Sequence, residues 1–334
     1  MENLSIPAQM RCIEVKDPGQ SSTLQLSERA VPALQAGQVL VKVAAAGVNR
    51  ADLLQRQGLY PPPPGESDIL GLEVAGTVVA VADTEQQHWL GQQVFGLVPG
   101  GGYAEYVALP AEHLMKKPAQ WSFSEAAACA EVFLTAFQAM TQVGDLPAQG
   151  RLLVHAGASG VGTAAIQLGK LFGATVAVTV GSAEKARACL ALGADFAINY
   201  REQDFVAELK QQLGAGFNLI IDPVAADYLN KDLQLLALDG QIVVLSMLGG
   251  RYAKELDMAL MLKKRGQLLC STLRNRTDAY KAQLVQRFVE RCGDSLGQKL
   301  QPVVAQSFRF TDAEQAHRLL QSNAVVGKLV LSWE

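Results

Sequence analysis

Chemistry in this 334-residue sequence is most visible where a short apolar run meets a cluster of small residues. Arg151–His155 (RLLVH) leads into Ala156-Gly157-Ala158-Ser159-Gly160-Val161-Gly162, and a long helical pattern follows. A glycine-rich turn between a strand and a helix presents backbone N–H groups at the helix N-terminus, where they attract phosphate. The spacing reads Gly157-x-Ser159-x-x-Gly162, a dinucleotide-binding pattern with Ser at its second position. Ala158, Ser159, Gly160 and Val161 are the expected phosphate contacts. The next strand ends in Val180-Gly181-Ser182-Ala183-Glu184-Lys185. A binder of NAD usually carries Asp or Glu at this tip for the ribose hydroxyls. Here no carboxylate stands at the tip, so nothing there repels a 2′-phosphate. Ser182 can donate to such a phosphate, and Lys185 adds a positive charge one turn into the helix. NADP(H) is the expected cofactor, against the alternative that Ser182 is only a helix cap and Lys185 a solvated charge.

The elements that must hold these groups follow from the pattern. Strands are expected at 151–155, 175–180, 196–199, 217–222, 241–246 and 266–270, with helices at 160–172, 182–192, 203–213, 226–237 and 254–264. The strands are continuous apolar runs (LLVH, TVAVTV, FNLII, QIVVL), which suit a parallel sheet buried on both faces. Regular alternation with helices implies right-handed βαβ units in a doubly wound, six-stranded sheet. Ligands of such sheets bind at the strands' carboxyl ends. That adds Ser246, Met247, Leu248, Gly249, Cys270 and Ser271 to the candidates.

Outside this region the character differs. Residues up to about 128 read as strands and turns: Gln38–Ala46, Gly76–Ala82, Gln93–Val98 and Tyr103–Leu109, with the turn cluster Pro99-Gly100-Gly101-Gly102 and a rigid exposed loop at Pro61–Pro64. Helices are expected at 124–128, capped by Ser122 or Ser124, and at 132–143. Beyond 270, a helix at 278–292, a strand at 303–310, a helix at 312–321 and a strand at 328–333 complete the reading.

Composition narrows the class. Hydrophobic residues are 49% and the net charge is −3, which excludes a disordered chain. The acidic balance speaks against a nucleic-acid or anionic-membrane partner. The five cysteines form no Cys-x-x-Cys and are odd in number, as in a reducing compartment. The first dozen residues (MENLSIPAQMRC) lack the apolar core of a leader, and no apolar run is long enough to span a bilayer. The expected location is the cytoplasm.

Several stretches together resemble the medium-chain dehydrogenase/reductase superfamily, and within it the zinc-independent quinone oxidoreductases of the p53-inducible type. They are Asn49 through Pro63, Ile69-Leu70-Gly71-Leu72-Glu73, Pro99–Gly102, Leu134-Thr135-Ala136-Phe137 and His155–Gly162, and the likeness covers nearly the whole chain. The resemblance implies a GroES-like, mainly antiparallel β catalytic domain at 1–128 and 271–334, with a Rossmann NADP(H)-binding domain inserted at 129–270. It implies a cofactor in the cleft between the domains and a homodimer joined through the Rossmann sheets. Zinc members carry G-x-C and G-H-E where this chain has Gly47-Val48-Asn49 and Gly71-Leu72-Glu73. The Cys and His ligand positions are thus Asn49 and Leu72. A Leu cannot bind zinc, and a catalytic zinc needs three protein ligands. No metal is expected, and Glu73 is expected to serve a structural hydrogen bond or ion pair.

Without a Lewis acid the acceptor must be intrinsically electrophilic. A quinone fits; a 2-alkenal or enone is the alternative. The resemblance implies that Asn49 contacts the nicotinamide ribose or the substrate, Thr135 the nicotinamide ribose, Tyr200 the 2′-phosphate side, and Lys328, in a closing Gly-Lys motif, the nicotinamide. The same resemblance implies that Tyr60 lines the substrate side, where its phenol either donates to the developing oxyanion or only packs a flat acceptor. Ser159 orients the cofactor or touches the acceptor. Tyr60, Ser159 and Asn49 are the catalytic candidates. Asp222 is expected to cap a helix. A zeta-crystallin-like structural or RNA-binding role is the reading from another class, for which Lys263-Lys264-Arg265 is the clustered basic run.

Overall fold

The structure, a computed structural model, describes residues 6–333. Residues 1–5, the start of the N-terminal segment read above, and Glu334 lie outside the described residues. The chain forms two compact units. One runs through Glu131 and resumes at Arg274; the other is Val132–Leu273.

The second unit is a six-stranded sheet: β1 (Arg151–Val154), β2 (Thr175–Val180), β3 (Phe196–Asn199), β4 (Phe217–Asp222), β5 (Leu236–Val244) and β6 (Gln267–Cys270). The order is β3-β2-β1-β4-β5-β6, with every neighbouring pair parallel. The three central strands are mainly apolar because both faces are covered: Leu152, Leu153, Val176, Val178, Leu219 and Ile221 are wholly buried. Strand order reverses between β1 and β4, which creates the switch point at their carboxyl ends. Five helices alternate with the strands: α1 (Gly160–Leu171), α2 (Ala183–Ala191), α3 (Phe205–Leu213), α4 (Tyr228–Leu235) and α5 (Met258–Lys264). Ser159, Ser182, Asp204 and Asp257 cap α1, α2, α3 and α5 through their side-chain oxygens.

Three elements depart from expectation. The helix expected from 254 starts four residues late, at Met258, where the Asp257 side chain caps it. β5 starts five residues early, at Leu236, because Leu236 pairs with Phe217 across a register irregularity before Leu219. The expected helix at 132–143 is an α-helix over Ala130–Gln138 followed by one π-helical turn at Ala139–Val143. Gly144 ends that turn, where an added Cβ would stand 2.7 Å from the Ala139 carbonyl oxygen.

The first unit is built on a seven-stranded sheet. Its path runs Val304–Arg309, Lys328–Ser332, Gln38–Val48, Glu73–Val81, Gln93–Leu97 and Leu114–Lys116, with Tyr106–Pro110 also paired to Gln38–Val48. Only the pair Val304–Arg309 with Lys328–Ser332 is parallel. The core beneath it includes Val39, Val41, Ala46, Leu109, Leu329 and Leu331. A separate antiparallel ribbon, Gln9–Lys16 with Thr23–Ala30, and the helix Arg50–Arg56 do not stand out from periodicity. The second ribbon strand buries no residue fully, and seven residues make only two helical turns. The strand expected from Tyr103 begins at Tyr106, because Tyr103 turns inward to a buried polar group described below.

Candidate active site

A buried knot of charge organises the first unit. Gly47 and Val48 end one strand, Glu73 begins its antiparallel neighbour, and Lys328 begins the last strand. The Glu73 carboxylate, with no exposed surface, accepts from Lys328 Nζ at 2.8 Å, from Asn49 Nδ2 at 3.0 Å and from the Glu131 N–H at 2.9 Å. The Lys328 ammonium also donates to Val48 O at 2.8 Å and to Asn49 Oδ1 at 2.5 Å. Its three protons are therefore placed, and both ends of the Asn49 amide are engaged. Gly47 is required by this packing. A Cβ there would lie 2.2 Å from Glu73 Oε1 and 2.5 Å from Ala127 O.

A second chain of buried contacts supports the knot. Asp52 accepts from Asn49 N–H at 2.8 Å, from Gly71 N–H at 3.1 Å and from the Tyr103 hydroxyl at 3.2 Å. Burial pushes the Asp52 carboxyl up to about 6, against those hydrogen bonds and the nearby Lys328 charge. Tyr103 in turn lies 3.0 Å from His317 Nε2. Burial, helped by the Arg56 charge, drives the His317 imidazole down to about 3 and keeps it neutral. Arg56 continues the chain to Glu314 at 3.0 Å and to Ser22.

Tyr60 lies half-buried in the loop after helix Arg50–Arg56. The Arg274 guanidinium carbon stands 5.5 Å from the centre of its ring. Arg274 Nε donates to Pro99 O at 3.0 Å. Burial raises the Tyr60 phenol above its ordinary value, the Glu131 charge raises it further, and Arg274 opposes both. Glu131 completes the cluster. Its carboxyl has no hydrogen-bond or ion-pair partner among the described residues, while part of its surface stays open. Burial first, and then Glu73, push it up to about 7.

The second unit holds a backbone site. After β1 the chain turns at Ala156, whose φ of 54° is left-handed, into the Gly157–Gly162 loop. Ser159 caps α1 by accepting from Gly162 N–H at 3.0 Å, and its residue surface is exposed. The helix's first N–H groups have no intrahelical acceptor, as at any helix start. Ala158 is buried, and Gly160 and Val161 are half-buried. A Cβ on Gly162 would stand 2.4 Å from Gly157 O, so only glycine lets the helix begin this close to the loop. His155 anchors the loop from behind, 2.8 Å from Thr179 Oγ1 and 2.7 Å from Asp232 Oδ1, all of it buried.

The tip of β2 is crowded with donors. Ser182 accepts from Lys185 N–H at 3.2 Å and so caps α2. A Cβ on Gly181 would come within 3.0 Å of the Tyr200 hydroxyl and 3.4 Å of Arg201 Nε. Burial lowers the Lys185 ammonium, and the Arg201 charge lowers it further. Gly181, Ser182, Lys185 and Tyr200 are thus gathered, and Arg201, which the sequence reading passed over, joins them. Ser246–Gly249 is an open loop beyond β5, held by Leu248 N–H on Pro223 O at 3.1 Å. Cys270 is exposed, Ser271 is buried and donates to Gln138, and Thr135 is half-buried on its helix. Asp222 caps a turn rather than a helix, accepting from Val224 and Ala225 N–H groups at 2.6 and 2.9 Å.

Known proteins place this pair of units. Residues 35–119 match the alcohol dehydrogenase GroES-like domain and residues 160–290 match the family described as zinc-binding dehydrogenase. The quinone oxidoreductase of Homo sapiens is 32% identical over 327 residues, spanning 96% of this chain and 97% of that one. The chain belongs to the medium-chain dehydrogenase/reductase family. Solved members of this fold are equally close. The quinone oxidoreductase from Thermus thermophilus, described with its NADPH complex, superposes with a TM-score of 0.81 at 31% identity, over 97% of this chain and all 100% of that one. A mycobacterial protein complexed with NADPH reaches 0.84 at 28% identity, over 97% and 99%. The α/β architecture of this family member is therefore a Rossmann unit inserted into a GroES-like one. No group of three or more His, Cys, Asp or Glu among the described residues is placed to hold a metal ion. Nor is any helix among them long and apolar enough to cross a membrane.

Proposed function

We propose that this protein is an NADPH-dependent quinone reductase that works without a metal. The observation that carries the reading is the Lys328 ammonium, held 2.8 Å from Glu73 and 2.5 Å from Asn49 Oδ1. The residues do not fit a zinc ion. Asn49 and Leu72 stand where the zinc members have Cys and His, Leu72 is buried and apolar, and the Asn49 amide is already committed. A resident cation in the form of an ammonium cannot act as a Lewis acid on an alcohol or carbonyl. The acceptor must then carry its own electrophilicity, as a quinone does.

The residues do fit a dinucleotide. The Gly157–Gly162 loop would hold the pyrophosphate through Ala158, Ser159, Gly160 and Val161. Gly181, Ser182, Lys185 and Tyr200, joined by Arg201, would take the 2′-phosphate, since the donors gather there and no carboxylate stands at the strand tip. Asn49, Thr135, Ser246–Gly249, Cys270 and Ser271 remain the proposed contacts of the nicotinamide half. Lys328 acts by holding Asn49 in place. When bound, the nicotinamide supplies a hydride. The chain contributes orientation and water exclusion. Tyr60 offers an aromatic face and a phenol that stays protonated at neutral pH.

The unit Val132–Leu273 is the proposed cofactor domain and the remainder the proposed catalytic domain. A homodimer is proposed through β6, an open sheet edge with an exposed Cys270, next to the exposed Met258 and Leu262 of α5. All five cysteines are free thiols, which suits the reducing cytoplasm. The test is an acceptor panel: NADPH and NADH oxidation with ortho- and para-quinones and with a 2-alkenal. Faster turnover of NADPH with a quinone is expected. NADPH that binds yet is consumed with no acceptor would overturn the reading, and a preference for the alkenal would make the protein a double-bond reductase.

A further inference from the structure

The two proposed phosphate-binding places lie on neighbouring strands, and the sheet ladder stops short of both. Between β1 and β2 the parallel pairing ends at Val154 and Val178. Beyond it the chain leaves β1 for the Gly157–Gly162 loop, while β2 runs on to its tip at Gly181 and Ser182. Two bonds bridge the gap at Thr179. Its carbonyl oxygen accepts from the Gly157 N–H at 3.0 Å. Its hydroxyl meets His155 Nδ1 at 2.8 Å. The His155 ring is held to make that second bond. Its backbone N–H donates to Ile221 O on β4 at 3.0 Å, and its Nε2 lies 2.7 Å from Asp232 Oδ1 on α4. An ionised carboxylate only accepts, so Nε2 carries a proton and Nδ1 is turned toward β2. Edge-on contacts with Phe205 of α3 and Tyr228 of α4, at 5.2 and 4.9 Å between ring centres, fix the plane of the imidazole. His155, Thr179 and Asp232 are all buried, so water does not compete for these bonds.

Resting on the NADPH reading, we propose that the His155–Thr179 bridge, braced by Asp232, is a positioning device for cofactor specificity: it sets the spacing between the phosphate loop and the 2′-phosphate tip. Thr179 stands two residues before Gly181, so a shift of its backbone moves the tip. The same residue holds the first glycine of the loop through its carbonyl. NADPH places a phosphate group at each end of this span and gains from having the spacing fixed in advance. NADH lacks the phosphate that reaches the tip and depends on the spacing less. The bridge acts through the backbone it holds, which makes Thr179 and His155 positioning residues.

The experiment uses the full chain with NADPH and NADH as probes. Thr179→Val removes the hydroxyl and keeps a branched strand residue. Calorimetry should show its affinity for NADPH down by about tenfold and for NADH by roughly threefold or less. With a quinone as acceptor, the KM for NADPH should rise by the same factor while kcat at saturating NADPH stays unchanged. Thr179→Ser restores the hydroxyl and should bring NADPH affinity back to within about twofold of wild type. Asp232→Asn keeps the shape but takes away the carboxylate that orients the ring. It should show the same split between the cofactors, and it serves if Thr179→Val fails to fold. A Thr179→Val protein with lowered thermal stability but unchanged NADPH affinity would overturn the proposal, and so would equal losses for NADPH and NADH. Wild-type protein that binds no NADPH would instead overturn the reading on which the proposal rests.

Discussion

The candidate groups of the two units are made of different materials. In the proposed cofactor unit the groups are contiguous: seven residues, Ala156–Gly162, form the proposed phosphate loop, and Gly181–Lys185 form the next tip. Their chemistry is mostly backbone N–H, fixed by strand, turn and helix geometry. In the other unit the knot joins residues 49, 73, 131 and 328 through side chains, across a sheet that brings the two chain ends together. Backbone sites tolerate side-chain change but not a Cβ in the wrong place. Side-chain knots fail when one charge loses its partner.

That contrast can be broken at its most sensitive point first. Lys328→Met leaves the buried Glu73 carboxylate without its cation, and stability should fall by about 3–5 kcal/mol, read by chemical denaturation. A loss of under ~1 kcal/mol would mean the knot is open to water. Gly162→Ala should follow, since its Cβ would meet two backbone oxygens, Gly157 O at 2.4 Å and Ala156 O at 2.5 Å. Calorimetry should show NADPH affinity down by more than tenfold, with a stability loss of roughly 1–3 kcal/mol. Lys185→Ala should raise the KM for NADPH by about tenfold, the worth of one charge-assisted hydrogen bond, and leave NADH little changed. Equal effects on both cofactors would remove the 2′-phosphate from this tip.

A separate test is a pH dependence. Glu131 holds its proton more tightly when folded, about 7 against an ordinary 4.5. The folded state therefore binds more protons between those values, and stability should decline as pH rises through that window. Glu131→Gln has no proton to lose, so denaturation at pH 8 and pH 5 should show the variant gaining relative to wild type at the higher pH. A difference that is flat with pH would place the Glu131 carboxyl in ordinary solvent.

How much could be read before folding follows the same division. The strands of the cofactor unit, its glycine loop and the Ser182 cap were legible because each is local: apolar runs, a turn, a capping residue. So were the helix Asp278–Cys292 and the ion-pair role of Glu73, the latter through resemblance. Asp52, Tyr103, Glu131, Arg274 and His317 were not legible, because nothing in their neighbours along the chain marks them. Each becomes meaningful only through a partner elsewhere in the fold, as Tyr103 does between Asp52 and His317. Arg201 was missed for a simpler reason: its only signal was adjacency to Tyr200. Lys328 was expected at the nicotinamide; its ties to Val48, Asn49 and Glu73 were not legible, because they come from distant parts of the chain.

Lys328, held by Glu73 and Asn49, is proposed to take the place of a metal, so that the proposed reaction needs none. The most direct measurement is NADPH oxidation with a quinone by protein treated with a strong chelator and shown by elemental analysis to be free of zinc. Turnover equal to that of untreated protein is predicted. Loss of turnover that is restored by stoichiometric zinc would contradict the account.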